Sequence, residues 1–160
     1  MTDFKVLLEA LVSARVEFIV VGGFAATTHG SARFTADLDV VYRRSSENLT
    51  RLVASLAPHD PYLRGAPPGL PFVWDAKTLE MGLNFTLVTK LGWIDLLGEI
   101  TAGGRYEALL PATEMFKLFG LEVRCLSLAR LIEVKRAAGR PKDFEAIAEL
   151  EAILEESKKS

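Results

Sequence analysis
Phe18-Ile19-Val20-Val21-Gly22-Gly23-Phe24-Ala25, followed after a short polar stretch by Asp37-Leu38-Asp39-Val40-Val41-Tyr42, sets the architecture of this chain. Phe18 to Val21 is an apolar, β-branched run stopped by two glycines, the pattern of a buried strand that ends in a tight turn. A short helix is predicted from Phe24 to about His29, with Gly30 as its stop. Leu38 to Tyr42 then reads as a second strand. Side chains alternate across a strand, so Asp37 and Asp39 share one side while Leu38 and Val40 face a core.

Two carboxylates held that close repel each other, and a divalent cation relieves the repulsion. Aspartate oxygens are hard ligands, suited to Mg²⁺, which is commonly held by one or two carboxylates plus substrate phosphates. An Asp-x-Asp alone reads more readily as a turn cap followed by a solvated side chain. The glycine pair changes its meaning. Gly22-Gly23 at a strand-to-helix turn offers free backbone N–H groups and close approach to an anion. Strand, glycine pair, short helix and Asp-x-Asp, in that order, would set phosphate and metal side by side.

Outward from this stretch the chain alternates helices and strands. Thr2 or Asp3 caps a first helix with Phe4, Leu7, Leu8, Leu11 and Val12 at helical spacing. Ser45 or Ser46 caps another that carries Leu49, Leu52, Val53 and Leu56. Residues 58–71 hold prolines at 58, 61, 67, 68 and 71 and read as the one long irregular loop, a binding loop or lid. Asn84–Thr89 and Trp93–Leu97 form an expected hairpin, as do Glu114–Phe119 and Leu121–Leu126 about Gly120. A helix over Leu128–Ala138 ends at Gly139, and a last helix starts near Pro141 with Leu150, Ile153 and Leu154 as its apolar stripe. The expectation is an α+β fold, one mixed sheet flanked by helices, in one domain over residues 1–160.

Composition narrows the function. A formal net charge of −2 provides no global attraction to nucleic acid or membrane, so any polyanion must meet a local basic patch. The lone Cys125 allows no internal disulfide and no zinc-type Cys/His cluster exists, which fits a reducing cytoplasm. No apolar run would span a bilayer, and Met1 to Lys5 do not open a signal peptide. A soluble, cytoplasmic protein is expected.

The stretch from Val20 to Ala25 and the stretch from His29 to Val40 together resemble the signature of the DNA polymerase β-like nucleotidyltransferase superfamily. That signature is a hydrophobic strand, Gly-Gly or Gly-Ser, a helix, then Asp-h-Asp or Asp-h-Glu with h apolar. The resemblance extends through Gly92-Trp93-Ile94-Asp95-Leu96-Leu97 and through Lys135 to Asp143. It points to small bacterial and archaeal members, including minimal nucleotidyltransferases and abortive-infection-type toxins. Where many members place Ser after the first glycine, this chain has Gly23, which leaves only backbone donors.

The resemblance implies two-metal transfer of a nucleoside monophosphate from an NTP, with Asp37 and Asp39 holding two Mg²⁺ ions. A third family carboxylate lies on a later strand, and Asp95, alone in an apolar run, matches it; Glu99 and Asp75 are the alternatives. Candidate nucleotide contacts are Gly22, Gly23, Arg33 and Thr35, with Lys135 and Lys142 from a locally basic stretch between residues 117 and 142. Lys142 is expected in the first turn of the last helix, where the helix dipole disfavours a cation unless an anion binds. His29, just before Gly30, reads as a cap on backbone carbonyls rather than as an acid or base, and His59 carries no argument. The relatives suggest a tRNA end, a partner protein's hydroxyl or an antibiotic hydroxyl as acceptor, and an antitoxin-like partner. A non-catalytic nucleotide-binding or toxin–antitoxin interaction protein is the other reading.

Overall fold
The computed structural model describes residues 1–159. Among them a mixed, seven-stranded sheet is flanked by seven α-helices, an α+β fold. In chain order the helices are α1 (Phe4–Ser13), α2 (Gly22–Thr28), α3 (Ser46–Leu56), α4 (Ala76–Met81), α5 (Tyr106–Leu109), α6 (Leu128–Ala138) and α7 (Phe144–Ser157). The strands are β1 (Phe18–Val21), β2 (Asp37–Tyr42), β3 (Tyr62–Leu63), β4 (Asn84–Thr89), β5 (Gly92–Leu97), β6 (Thr113–Leu118) and β7 (Leu121–Leu126). The strand order is β3-β4-β5-β2-β1-β7-β6.

Two pairings position the chemistry. β1 runs antiparallel to β2 with Val21 opposite Asp39, so the chain leaves β1 for α2 beside the carboxylate strand. β2 runs parallel to β5 with Asp39 opposite Asp95 and Asp37 opposite Trp93. Because successive side chains alternate, these four residues share one face of the sheet. Leu38, Val40, Ile94 and Leu96, on the other face, are fully buried.

The main core lies under α1 and α3, where Leu7, Leu8, Leu11, Leu49, Leu52 and Leu56 pack against the strand residues. A second cluster of Ala26, Leu128, Ile132, Ile147 and Leu150 seats α2 against α6 and α7. The helix starts follow their capping residues. Asp3, not Thr2, caps α1 and accepts from the Val6 N–H at 3.1 Å. Ser45 caps α3 and Ser127 caps α6, while Gly139 ends α6 at φ +63°.

Several expectations need correction. The 58–71 segment is not wholly irregular: β3 pairs Tyr62 with Val88 and Leu63 with Leu87, so it adds an edge strand. The surrounding prolines hide so short a strand. Helix α2 starts at Gly22, two residues earlier than expected, because the left-handed backbone of Gly22 (φ +66°) turns the chain straight into it. Lys142 lies in a single 3₁₀ turn over Pro141–Asp143, ahead of α7 rather than in its first turn. Helices α4 and α5 have no counterpart in the sequence-based expectation. No helix among the described residues is long and apolar enough to cross a membrane.

Candidate active site
Asp37, Asp39 and Asp95 converge as the sheet register dictates. One carboxylate oxygen from each lies within 4.8 Å of the others, the only such acidic or His/Cys group among the described residues. Burial and the neighbouring charges of Asp37 and Asp95 push the Asp39 carboxyl up to about 8, and a proton shared with Asp95 adds to the effect. Asp95 is also raised, mainly by burial, although the Arg64 guanidinium opposes the shift. Asp39 Oδ1 is buried without any hydrogen-bond partner. Three hard oxygen donors, mutual repulsion and an orphaned buried oxygen fit a divalent cation.

Of the alternatives to Asp95, Asp75 is the N-cap of α4, accepting from the Thr78 N–H at 2.8 Å, and that bond lowers its pKa. Glu99 is exposed beyond the end of β5. Neither joins the cluster.

The glycine pair is needed sterically as well as for its backbone. A Cβ on Gly22 would sit 2.2 Å from Asp39 Oδ2, and one on Gly23 would sit 2.7 Å from Thr35 Oγ1. The main chain therefore passes hard against the metal strand. No side chain caps the N-terminus of α2, so its first N–H groups face this region without a side-chain acceptor. The Thr35 hydroxyl occupies the space next to Gly23 and donates to the Asp37 carbonyl at 3.2 Å.

Four of the expected nucleotide contacts meet. Gly23, Arg33, Lys135 and Lys142 line one pocket of about 260 Å³ together with Ser31 and Glu149. Lys135 is held 3.9 Å from the buried Asp143, which Arg140 grips through both oxygens at 2.7 and 3.3 Å. Lys142 is exposed and makes no ion pair among the described residues. Arg33 lies 3.8 Å from the exposed Glu145. Thr35 belongs instead to an adjoining, largely apolar pocket of about 750 Å³, with Phe4, Phe24, Phe34, Ala36 and Trp93 in its wall. His29 closes α2, and its Nε2 bonds the Leu126 carbonyl at 2.9 Å, consistent with a structural role.

Three contributors escaped the sequence reading. Arg64, just past β3, donates from Nη2 to Asp95 Oδ1 at 2.8 Å and stands 3.6 Å from Asp37 Oδ2. Its guanidinium stacks on Trp93, 4.7 Å from the ring centre. Glu149 of α7 bonds the Ser31 hydroxyl at 2.5 Å and the Ala32 N–H at 3.1 Å, tethering the loop that leads to Asp37. Thr2 donates to the Ala36 carbonyl and accepts from the Trp93 N–H at 3.1 Å, tying together the starts of β2 and β5. Arginine beside a two-residue strand was the only local signal for Arg64. The other two are long-range contacts with none.

No protein-family model matches the chain, and no match is found among curated proteins. Solved structures do match. A lincosamide antibiotic adenylyltransferase, LnuA, in its lincomycin-bound form, aligns over 95% of this chain and 98% of its own, with 14% identity and a TM-score of 0.62. A candidate nucleotidyltransferase from Thermotoga maritima aligns over 89% and 86%, with 13% identity and a TM-score of 0.57. At these identities the likeness shows the fold: the chain has the architecture of a nucleotidyltransferase.

Proposed function
We propose that the chain transfers a nucleoside monophosphate from an NTP to a hydroxyl group of an acceptor and releases pyrophosphate. The observation that carries this is the convergence of Asp37, Asp39 and Asp95 beside the uncapped start of α2. Asp37 and Asp39 would hold two Mg²⁺ ions, with Asp95 completing the set. Bound there, the ions would neutralise the carboxylates and stabilise charge on the attacking and leaving oxygens.

The protein's own groups account for the rest. The first N–H groups of α2 and the side chains of Lys135 and Lys142 would receive the phosphate chain, with Arg33 at the edge of the same pocket. The acceptor hydroxyl oxygen forms a bond to the α-phosphorus as the α–β bridging bond breaks, and pyrophosphate departs with that electron pair. Asp95, once free of Arg64, would take the hydroxyl proton. Most of the acceleration would come from positioning and fixed charge.

The acceptor's chemistry is suggested by the larger pocket. Arg33 is the one charged side chain in its wall, and apolar and aromatic residues form most of the rest. Such a pocket suits the body of a small hydroxyl compound better than a polynucleotide, whose phosphates need several cations. The fold neighbour that adenylylates a lincosamide antibiotic supports the same choice.

One observation favours a second reading, a non-catalytic nucleotide-binding or toxin–antitoxin interaction protein. Arg64 already partners two of the three carboxylates, as a degenerate metal site would allow. Incubation with α-labelled NTPs, Mg²⁺ and a cell extract separates the two. Transfer of label to an acceptor, lost in Asp39→Asn, supports the enzyme. Nucleotide binding without transfer from any of the four NTPs supports the interaction protein.

A further inference from the structure
We propose that Arg64 is an internal counter-cation that occupies part of the metal site, so that divalent metal and the Arg64 guanidinium compete for Asp37 and Asp95. The inference rests on reading the three carboxylates as a divalent-cation site. It goes beyond that reading by assigning a positioning residue that controls loading.

Arg64 follows the edge strand β3, and its side chain crosses two strands to reach the cluster. On the way it donates to the Leu87 carbonyl of β4 at 2.7 Å. It then meets Asp95 on β5 at 2.8 Å and Asp37 on β2 at 3.6 Å. Only 19% of the side chain is exposed. A guanidinium this buried is costly unless its charge is balanced, and the two carboxylates balance it.

The result is a metal-free site in which one guanidinium already partners two of the three carboxylates. Arg64 engages one oxygen of each carboxylate, Asp95 Oδ1 and Asp37 Oδ2, and a cation that draws on those oxygens would displace it. The attachment of Arg64 permits this. Strand β3 has two paired residues at the sheet edge, and Gly65 follows at φ +80° with open space around it. The guanidinium also rests on the half-exposed face of Trp93, so its departure uncovers an indole that can report it.

Two measurements on the full chain test the competition, neither involving nucleotide. Mn²⁺ titration followed by electron paramagnetic resonance should show at least roughly tenfold tighter binding in Arg64→Gln than in the unaltered protein, as expected when a charge-assisted competitor is removed. Equal or weaker binding would overturn the proposal. Removing a positive charge could tighten binding without any displacement, so the second measurement isolates the movement.

In a Trp74→Phe background Trp93 is the remaining tryptophan. Saturating Mg²⁺ should shift its emission when Arg64 is present and leave it unchanged when Arg64→Gln is added. Saturation without a shift in the Arg64-containing protein would overturn the proposal, and this arm stands even if Arg64→Gln does not fold. Failure of NMP transfer with both metal results intact would sink the transferase reading alone. Transfer with an unmoved Trp93 would sink the competition alone.

Discussion

Replacing Asp39 by asparagine should make the metal-free protein more stable while it abolishes NMP transfer. The ordinary aspartate value is 3.8, and Asp39 in the folded protein is pushed up to about 8. A raised carboxyl value means that the folded chain keeps a proton that the unfolded chain releases. Its contribution is therefore most favourable below the unfolded value and is lost as pH rises through the folded one. At pH 7 the unfolded aspartate has gained about three pH units of ionisation that the folded one has not. At about 1.36 kcal/mol per unit this is ~4 kcal/mol. The neighbouring Asp37 and Asp95 side chains keep 29% and 21% exposure, so solvent screening lowers the expected gain to ~2–4 kcal/mol.

Asparagine is a near-isostere of the protonated acid and has no proton to release on unfolding. Arg64 contacts Asp37 and Asp95 rather than Asp39, so the substitution strands no buried cation. The assay is urea unfolding in chelator at pH 4, 7 and 8. The Asp39→Asn variant should be the more stable at pH 7 and 8, and the difference should nearly vanish at pH 4. Added Mg²⁺ should stabilise only the unaltered protein, by mass action on a site it still has. Equal or lower stability of the variant at pH 7, or a gain that ignores pH, would refute the account of the buried carboxylate.

Other expectations follow from the same contacts. Gly22→Ala puts a side chain on a left-handed backbone and 2.2 Å from Asp39 Oδ2, so it should cost ~2–4 kcal/mol in urea unfolding and remove activity. Gly23→Ala has no left-handed backbone to strain but meets Thr35 Oγ1 at 2.7 Å and Thr35 Cβ at 3.0 Å, so it should cost less than Gly22→Ala, ~1–2 kcal/mol; similar losses in the two would contradict the steric argument. Thr2→Val unties Ala36 from Trp93 and should lower stability by ~1–2 kcal/mol while weakening Mn²⁺ binding, checked by unfolding and by titration. Lys142→Ala removes an exposed cation without an ion pair, so KM for NTP should rise several-fold with the melting temperature unchanged.

The carboxylates were legible because a strand repeats every two residues. Asp37 and Asp39 fall on one face by that rule alone, and the observed pairing of Asp39 with Asp95 needs only the parallel neighbour β5. Most strands and the longer helices were legible for the same reason: caps and apolar periods are local. Much of what was missed is not local. Glu149 reaches Ser31 and Ala32 from the last helix, and Thr2 bridges two strands that begin far along the chain. The cap at Asp75 is local, accepting from the Thr78 N–H, but the six-residue helix behind it carries too short an apolar pattern to be read from sequence. Arg64 lay inside a proline-rich stretch whose composition argues for a loop, and two paired residues leave too little periodicity to argue otherwise.

The difference between Arg64 and the three aspartates also bears on how the site must work. The aspartates sit on interior strands whose registers are fixed on both sides, so their oxygens cannot separate to relieve repulsion. Relief has to come from a proton, a cation of the protein or a metal. Burial and the neighbouring carboxylates favour the first on Asp39, and Arg64 supplies the second to Asp37 and Asp95. Both are reversible in a way that moving a strand is not: a proton can leave and a long side chain at a sheet edge can swing. A rigid acidic cluster with two removable counter-charges is thus ready for a divalent cation without any rearrangement of the sheet. A protein that had lost the use of metal would gain stability by replacing Asp39, the carboxylate that Arg64 does not partner.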